Sequence, residues 1–236
     1  MRLRFNCISC AKETEPRDEQ FVVAINEQSI YRPQCSQGHS SVIVVTEAKY
    51  VQLFEIGLNA VVDQYHREAV SSFGASLERF YEFTTRVLAL HQKVSTNAVE
   101  AAWKSMARQS ERQLGAFVAA YLLVENEVPI LLSDKMVKFR NDIIHKGAIP
   151  SSEEAIAFGD AVLSVIRPVL RLLRTKYQDS FHLLNVQLRR ATLCNIDLHS
   201  ERPVTYSLAL ALRDVGQPFT DSRDVYSYVL ALGAAR

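Results

Sequence analysis

Two short knuckles near the start of the sequence constrain the fold most. Cys7-Ile8-Ser9-Cys10 is a Cys-x2-Cys pair, and Cys35-Ser36-Gln37-Gly38-His39 is a Cys-x3-His pair. Strand-like runs, Phe21-Val22-Val23-Ala24-Ile25 and Val42-Ile43-Val44-Val45, lie between and after them. Gly38 sits where a knuckle turn needs a permissive backbone. About forty residues of short strands cannot bury enough apolar surface to fold alone, and a tetrahedral metal would make up the deficit. Thiolate and imidazole donors suit Zn²⁺, and four protein ligands leave no open position for chemistry. The expectation is a structural zinc site of Cys7, Cys10, Cys35 and His39, with no catalytic cofactor. A redox Cys-x2-Cys is the weaker reading, because no helix pattern opens at Cys7 to lower its pKa. Cys194, distant in sequence, reads as a buried apolar residue rather than a fifth ligand.

This segment, residues 1–46, resembles zinc ribbons in general. From about Glu47 the apolar period changes to 3.6. Val51, Leu53, Phe54, Leu58, Val61, Val62 and Tyr65 form one stripe; Val70, Phe73, Leu77, Phe80, Tyr81, Val87 and Leu88 form a second. The two are either one long helix or two joined near His66 or Arg67. Asn97, three before Glu100, has the spacing of a capping box and opens a helix that runs towards Phe117 and Tyr121, with a possible break near Ser110. Ser133 caps a short helix over 134–146, Gly147 fits its C-terminal stop and Pro150 forbids resumption. Ser151 or Ser152 then caps a helix led by Glu153-Glu154, in which Pro168 should introduce a kink. Later, Phe181–Leu193 reads as a helix, Val204-Thr205-Tyr206 as a strand, Gly216-Gln217-Pro218 as a turn and 223–232 as a helix. The expected architecture is mainly α: a helical bundle over 47–178, preceded by the β ribbon and followed by a mixed extension over 179–236.

With 48% hydrophobic and 22% charged residues the chain can bury a real core. A net charge of +1 gives no global polyanion signature, so nucleic-acid binding would rest on a local patch. Between Arg167 and Arg190, Arg167, Arg171, Arg174, Lys176, Arg189 and Arg190 face one acid, Asp179. That is either a phosphate-binding stretch or a solvated basic face. No apolar run is long enough to span a membrane, and the N-terminus lacks a signal-peptide h-region, so a cytoplasmic protein is expected.

The short helix carries Arg140-Asn141-Asp142-Ile143-Ile144-His145. Stepping about 100° per residue from Asp134 places Lys138, Asn141 and His145 within about 40° of it, on one polar stripe. Arg140 falls instead in the apolar arc, about 140° from His145. A permanently charged guanidinium there requires either a carboxylate from another helix, with Glu78 and Glu82 as candidates, or an interface with a second chain. Arg86…His91 has the same spacing and Arg32…His39 a spacing two residues longer, but neither has an Asn after the Arg or a glycine stop after the His.

Arg140-Asn141-x-x-x-His145, with Phe139 before it and Lys146-Gly147 after it, resembles the motif of the HEPN superfamily. The stretch from Arg67 through Glu68, Phe73, Leu77, Glu78 and Arg79 to Glu82 is similar to the first helix of such domains. The resemblance covers about residues 50–178. It implies a HEPN-like bundle acting as a homodimer, and for many members a metal-independent endoribonuclease of toxin, phage-defence or RNA-processing systems, with RNA as substrate and an antitoxin or other protein as a possible partner. Other members bind nucleotides or proteins without catalysis. The residue types fit the implied chemistry: His145 to move the 2′-OH and leaving-group protons, Arg140 to stabilise phosphoryl charge, Asn141 to orient the imidazole or bond a phosphate oxygen. Two expectations therefore stand, an endoribonuclease with a composite dimer site and a non-catalytic interaction module carrying a structural zinc ribbon.

Overall fold

The computed structural model describes residues 2–208, 211–212 and 223–234. In chain order the elements are β1 (Arg2–Asn6), α1 (Ile8–Ala11), β2 (Gln20–Ala24), β3 (Ile30–Tyr31), β4 (Val42–Val45), α2 (Lys49–Val62), α3 (His66–His91), α4 (Thr96–Met106), α5 (Ser110–Glu125), α6 (Asp134–Lys146), α7 (Ser152–Thr175), α8 (Gln178–Leu193), β5 (Pro203–Tyr206) and α9 (Val225–Ala234). The chain is thus mainly helical with a small β component. It forms two compact units, Met1–Glu47 with Asn185–Leu208, and Ala48–Leu184 with Ala209–Arg236. The expected separate extension over 179–236 is distributed between them, and the chain passes from one unit to the other within α8. The expected turn at Gly216-Gln217-Pro218 lies outside the described residues.

The β unit explains why it recruits a distant segment. β1 and β2 form an antiparallel pair in which Phe5 opposes Phe21. β4 pairs antiparallel with β3 and parallel with β5, Ile43 lying opposite Val204 and Val45 opposite Tyr206. The uninterrupted run Val42-Ile43-Val44-Val45 is the pattern of a strand covered on both faces. Ile43 and Val45 face a core of Leu3, Phe5, Phe21 and Tyr31 that also holds the three ribbon cysteines, whereas Val44 packs with Ile30 and Ile196, and Leu193 lies against that cluster. Phe5 contacts the rings of Tyr206 at 4.8 Å and Tyr31 at 5.8 Å. The Tyr206 hydroxyl donates to the Asn6 carbonyl at 2.8 Å, and Arg32 clamps Glu201 with bonds of 2.6 and 3.0 Å.

In the helical unit the two apolar stripes are two helices. They are separated at Asp63–Tyr65, where Gln64 takes φ 62°. α3 is the central helix and packs against α2, α4, α5, α6 and α7. Its Phe73 ring is fully buried 4.8 Å from Phe54 and fills space that two glycines leave open. A Cβ on Gly57 of α2 would lie 2.4 Å from this ring, and one on Gly159 of α7 would lie 2.9 Å from it. Tyr81 stacks on Phe117 of α5 at 4.7 Å, and Phe139 of α6 meets Phe158 of α7 at 5.9 Å. α9 docks through Val225, whose amide donates to Asp160 at 2.7 Å, and through the buried Tyr228, whose hydroxyl accepts from Arg167 at 2.8 Å.

Helix limits follow local chemistry. Ser151 and Glu154 form a reciprocal capping box on α7, which continues through Pro168 to Thr175. Ser95, rather than Asn97, caps α4: its backbone is extended and its hydroxyl accepts from the Ala98 amide at 3.3 Å. The Glu100 side chain, expected in that box, instead accepts from Arg86 of α3. No described helix is long and apolar enough to cross a membrane. Because a Cβ on Gly57 would force the fully buried Phe73 ring or its neighbours to shift, Gly57→Ala should lower the unfolding free energy by about 1–3 kcal/mol. The urea midpoint checks this; an unchanged midpoint would show that the ring can be displaced.

Candidate functional site

The four ribbon residues converge. Cys7 follows β1 and its carbonyl accepts from Ala11 in the single turn of α1, which carries Cys10. A short helix does therefore open at Cys7, against the sequence expectation, but it delivers the second thiol to a cluster rather than an isolated redox pair. The second knuckle closes when the Gly38 amide reaches the Cys35 carbonyl at 3.0 Å, with Gly38 at φ 85°. His39 turns Nδ1 inward, 3.2 Å from the Cys10 sulfur, 3.6 Å from that of Cys35 and 4.0 Å from that of Cys7. The Cys10 and Cys35 sulfurs are 3.7 Å apart, and all four donor atoms lie within 4.8 Å of one another. A tetrahedron with metal–sulfur arms of about 2.3 Å requires sulfur–sulfur edges of about 3.8 Å, so the set can hold a metal ion.

The electrostatics of this cluster point the same way. Burial, reinforced by the neighbouring Cys7 and Cys35, pushes the Cys10 thiol up to about 12. At Cys35 burial also raises the pKa, but the Gln37 and His39 amides and the neighbouring thiols outweigh it and bring the group to about 7. Crowded sulfurs of this kind resist ionisation together, and a cation among them removes that resistance. Cys194 is not a fifth member, nor is it buried as expected. It is exposed, because it lies between Leu193 and Ile196, which turn towards Val44.

The second candidate lies on α6. Ser133 caps the helix by accepting from the Met136 amide at 3.4 Å, and Gly147 ends it in the left-handed conformation at φ 74°. Arg140 leaves the apolar arc by passing over Gly74 of α3, where a Cβ would stand 3.5 Å from its Nε. Its Nη2 donates to Glu78 at 2.5 Å and its Nη1 to the Asn141 carboxamide oxygen at 3.2 Å. Of the two carboxylates expected to compete for it, Glu82 is engaged by Arg79 at 2.6 Å and Arg86 at 2.7 Å. The buried-arginine problem is thus solved within the chain.

Asn141 and His145 lie together on an open groove also lined by Asp134, Val137, Lys138, Asp142 and Lys146. Arg140 does not line it and reaches it only through Asn141. The His145 ring is exposed. Lys146 pairs with Asp142 at 2.6 Å, and that bond first of all holds the Asp142 carboxyl below its ordinary range. Two lysines beside two aspartates leave the groove without formal net charge when His145 is neutral.

Several side chains of the basic stretch after Arg167 already have partners within the chain. Arg167 bonds Tyr228, the Arg174 guanidinium lies 5.7 Å from the Phe181 ring centre, and Lys176 bonds Glu125 at 2.9 Å. Two contacts carried no sequence signature: Gly74 beneath Arg140, and Glu13, whose Oε1 lies 3.5 Å from His39 Nε2. A double-mutant cycle on Arg140→Ala and Glu78→Ala should give a coupling of about 1 kcal/mol in urea unfolding, the upper range for a partly exposed pair; additivity would reduce the pair to a surface contact. Comparison with protein-family models finds no matching model, and comparison with curated proteins and with solved structures finds no match.

Proposed function

We propose that this chain is a metal-independent endoribonuclease of the HEPN type, acting as a homodimer, and that Cys7, Cys10, Cys35 and His39 hold a structural Zn²⁺. The observation that carries the first half is the α6 groove, where Asn141 and His145 stand one turn apart beside Lys138 and Lys146. His145 takes the proton of a ribose 2′-OH, the oxygen attacks the adjacent phosphorus, and the 5′ oxygen leaves with a proton, giving a 2′,3′-cyclic phosphate. Asn141 and the lysines stabilise charge on the phosphoryl oxygens, and Arg140, fixed between Glu78 and Asn141, supplies a permanent positive charge behind them. Val137, 42% exposed, and Ile149, 86% exposed, leave apolar surface next to this helix that a second copy would cover. Toxin or phage-defence activity in the cytoplasm, restrained by a protein partner, fits an exposed site of this kind.

The reading of the ribbon rests on its donor set. Three thiolates and one imidazole at tetrahedral spacing favour Zn²⁺ over hard cations, and four protein donors leave no position for a reacting water, so the ion stabilises the fold. Elemental analysis should find about one Zn²⁺ per chain; less than about half an equivalent would reject the assignment.

A second reading, a non-catalytic module that binds a nucleotide or a protein, is favoured by the Arg140–Glu78 pair, which satisfies the guanidinium without any substrate. Purified wild type, His145→Ala and Arg140→Ala proteins should be incubated with mixed cellular RNA without added divalent metal, and the RNA ends analysed. Cyclic-phosphate ends from wild type alone are expected. Such ends from His145→Ala, or no cleavage by wild type, would overturn the nuclease reading in favour of the binding module.

A further inference from the structure

We propose that Glu13 is a positioning residue of the metal centre, held by Arg17, that fixes the His39 ring so that Nδ1 is presented to the ion. The inference rests on the zinc reading above. His39 directs Nδ1 to the three sulfurs. An ion bound there leaves the ring proton on Nε2, and an acceptor for that proton sets both the tautomer and the rotation of the ring. The Glu13 carboxylate oxygen lies 3.5 Å from Nε2 and is placed to be that acceptor.

Its position is built rather than incidental. Glu13 follows the α1 turn, and its amide and that of Arg17 both reach the carbonyl of Cys10, at 3.4 and 3.2 Å. One ligand residue therefore anchors the loop that supports another. Arg17 Nε stands 3.9 Å from the second Glu13 oxygen, while its Nη1 donates at 2.6 Å to Gln37, between Cys35 and His39. The Glu13–His39 contact and the Arg17–Gln37 bond thus join the two knuckles outside the donor atoms. His39 is also the ligand that needs such support: the three cysteines are buried, while its side chain remains 34% exposed and free to turn towards water. A carboxylate behind the imidazole further raises the electron density that its other nitrogen offers to a cation.

The test uses the full chain, with Zn²⁺ affinity read by competition with a chromophoric chelator and the His39 ring followed by ¹⁵N NMR of the loaded protein. Glu13→Ala should weaken Zn²⁺ binding about 10- to 100-fold and speed exchange of the Nε2 proton. Glu13→Gln keeps an acceptor oxygen and should retain most of the affinity and the slow exchange of the Nε2 proton, the readout that a merely structural loop residue would not move. Equal affinity and unchanged ring exchange in Glu13→Ala would overturn the role of Glu13 while leaving the zinc site intact. Wild-type protein that takes up no Zn²⁺ would overturn both.

Discussion

The helical unit depends on one aromatic ring accommodated by two glycines. Phe73 occupies volume that any side chain on Gly57 or Gly159 would claim, so α2 and α7 can both close on α3 only because those positions lack a Cβ. The next residue along α3, Gly74, lies under the Arg140 side chain, and Glu78, one turn further, meets its guanidinium. The rotation of α3 is set by packing around Phe73, and that rotation decides which carboxylate Arg140 finds. A core constraint thus fixes an electrostatic contact behind the candidate site. Interiors packed at crystal-like density transmit position in this way because they leave no slack for independent adjustment.

The β unit is organised by a different shortage. Its strands are short, and its apolar core is partly made of the three cysteines that face inward with His39. β4 is apolar on both faces, and the second face is covered by residues that arrive more than a hundred positions later, Leu193 and Ile196, beside the parallel strand β5. Close thiols in such a core resist simultaneous ionisation, and an ion held among them would turn that electrostatic conflict into binding. The same requirement would make the surroundings of His39, the one partly exposed residue of the four candidate ligands, matter to the whole unit.

Arg140 and His145 illustrate how a motif can be legible while its geometry is not. Their angular separation on α6 follows from helix periodicity, and so does the sharing of one face by Asn141 and His145. Their roles do not. Arg140 sits between Glu78 and Asn141, while His145 stands exposed at the helix end, on the groove that Asn141 also lines.

What the sequence determined by itself is local or periodic: the Cys-x2-Cys and Cys-x3-His donors, the apolar stripes of α2, α3 and α7, and the cap at Ser133 and stop at Gly147 that bound α6 to the residue. These depend on short-range hydrogen bonds, allowed φ values and helix or strand repeats, all encoded within a few positions. Only the tertiary structure decided that Ser95 rather than Asn97 caps α4, because Glu100 is drawn to Arg86. It alone chose Glu78 over Glu82, exposed Cys194, engaged Arg167 and Arg174, and divided the residues after 178 between two units. Each of these outcomes is a competition among partners far apart in the chain, settled by which surfaces pack together, and neither spacing nor composition records who wins.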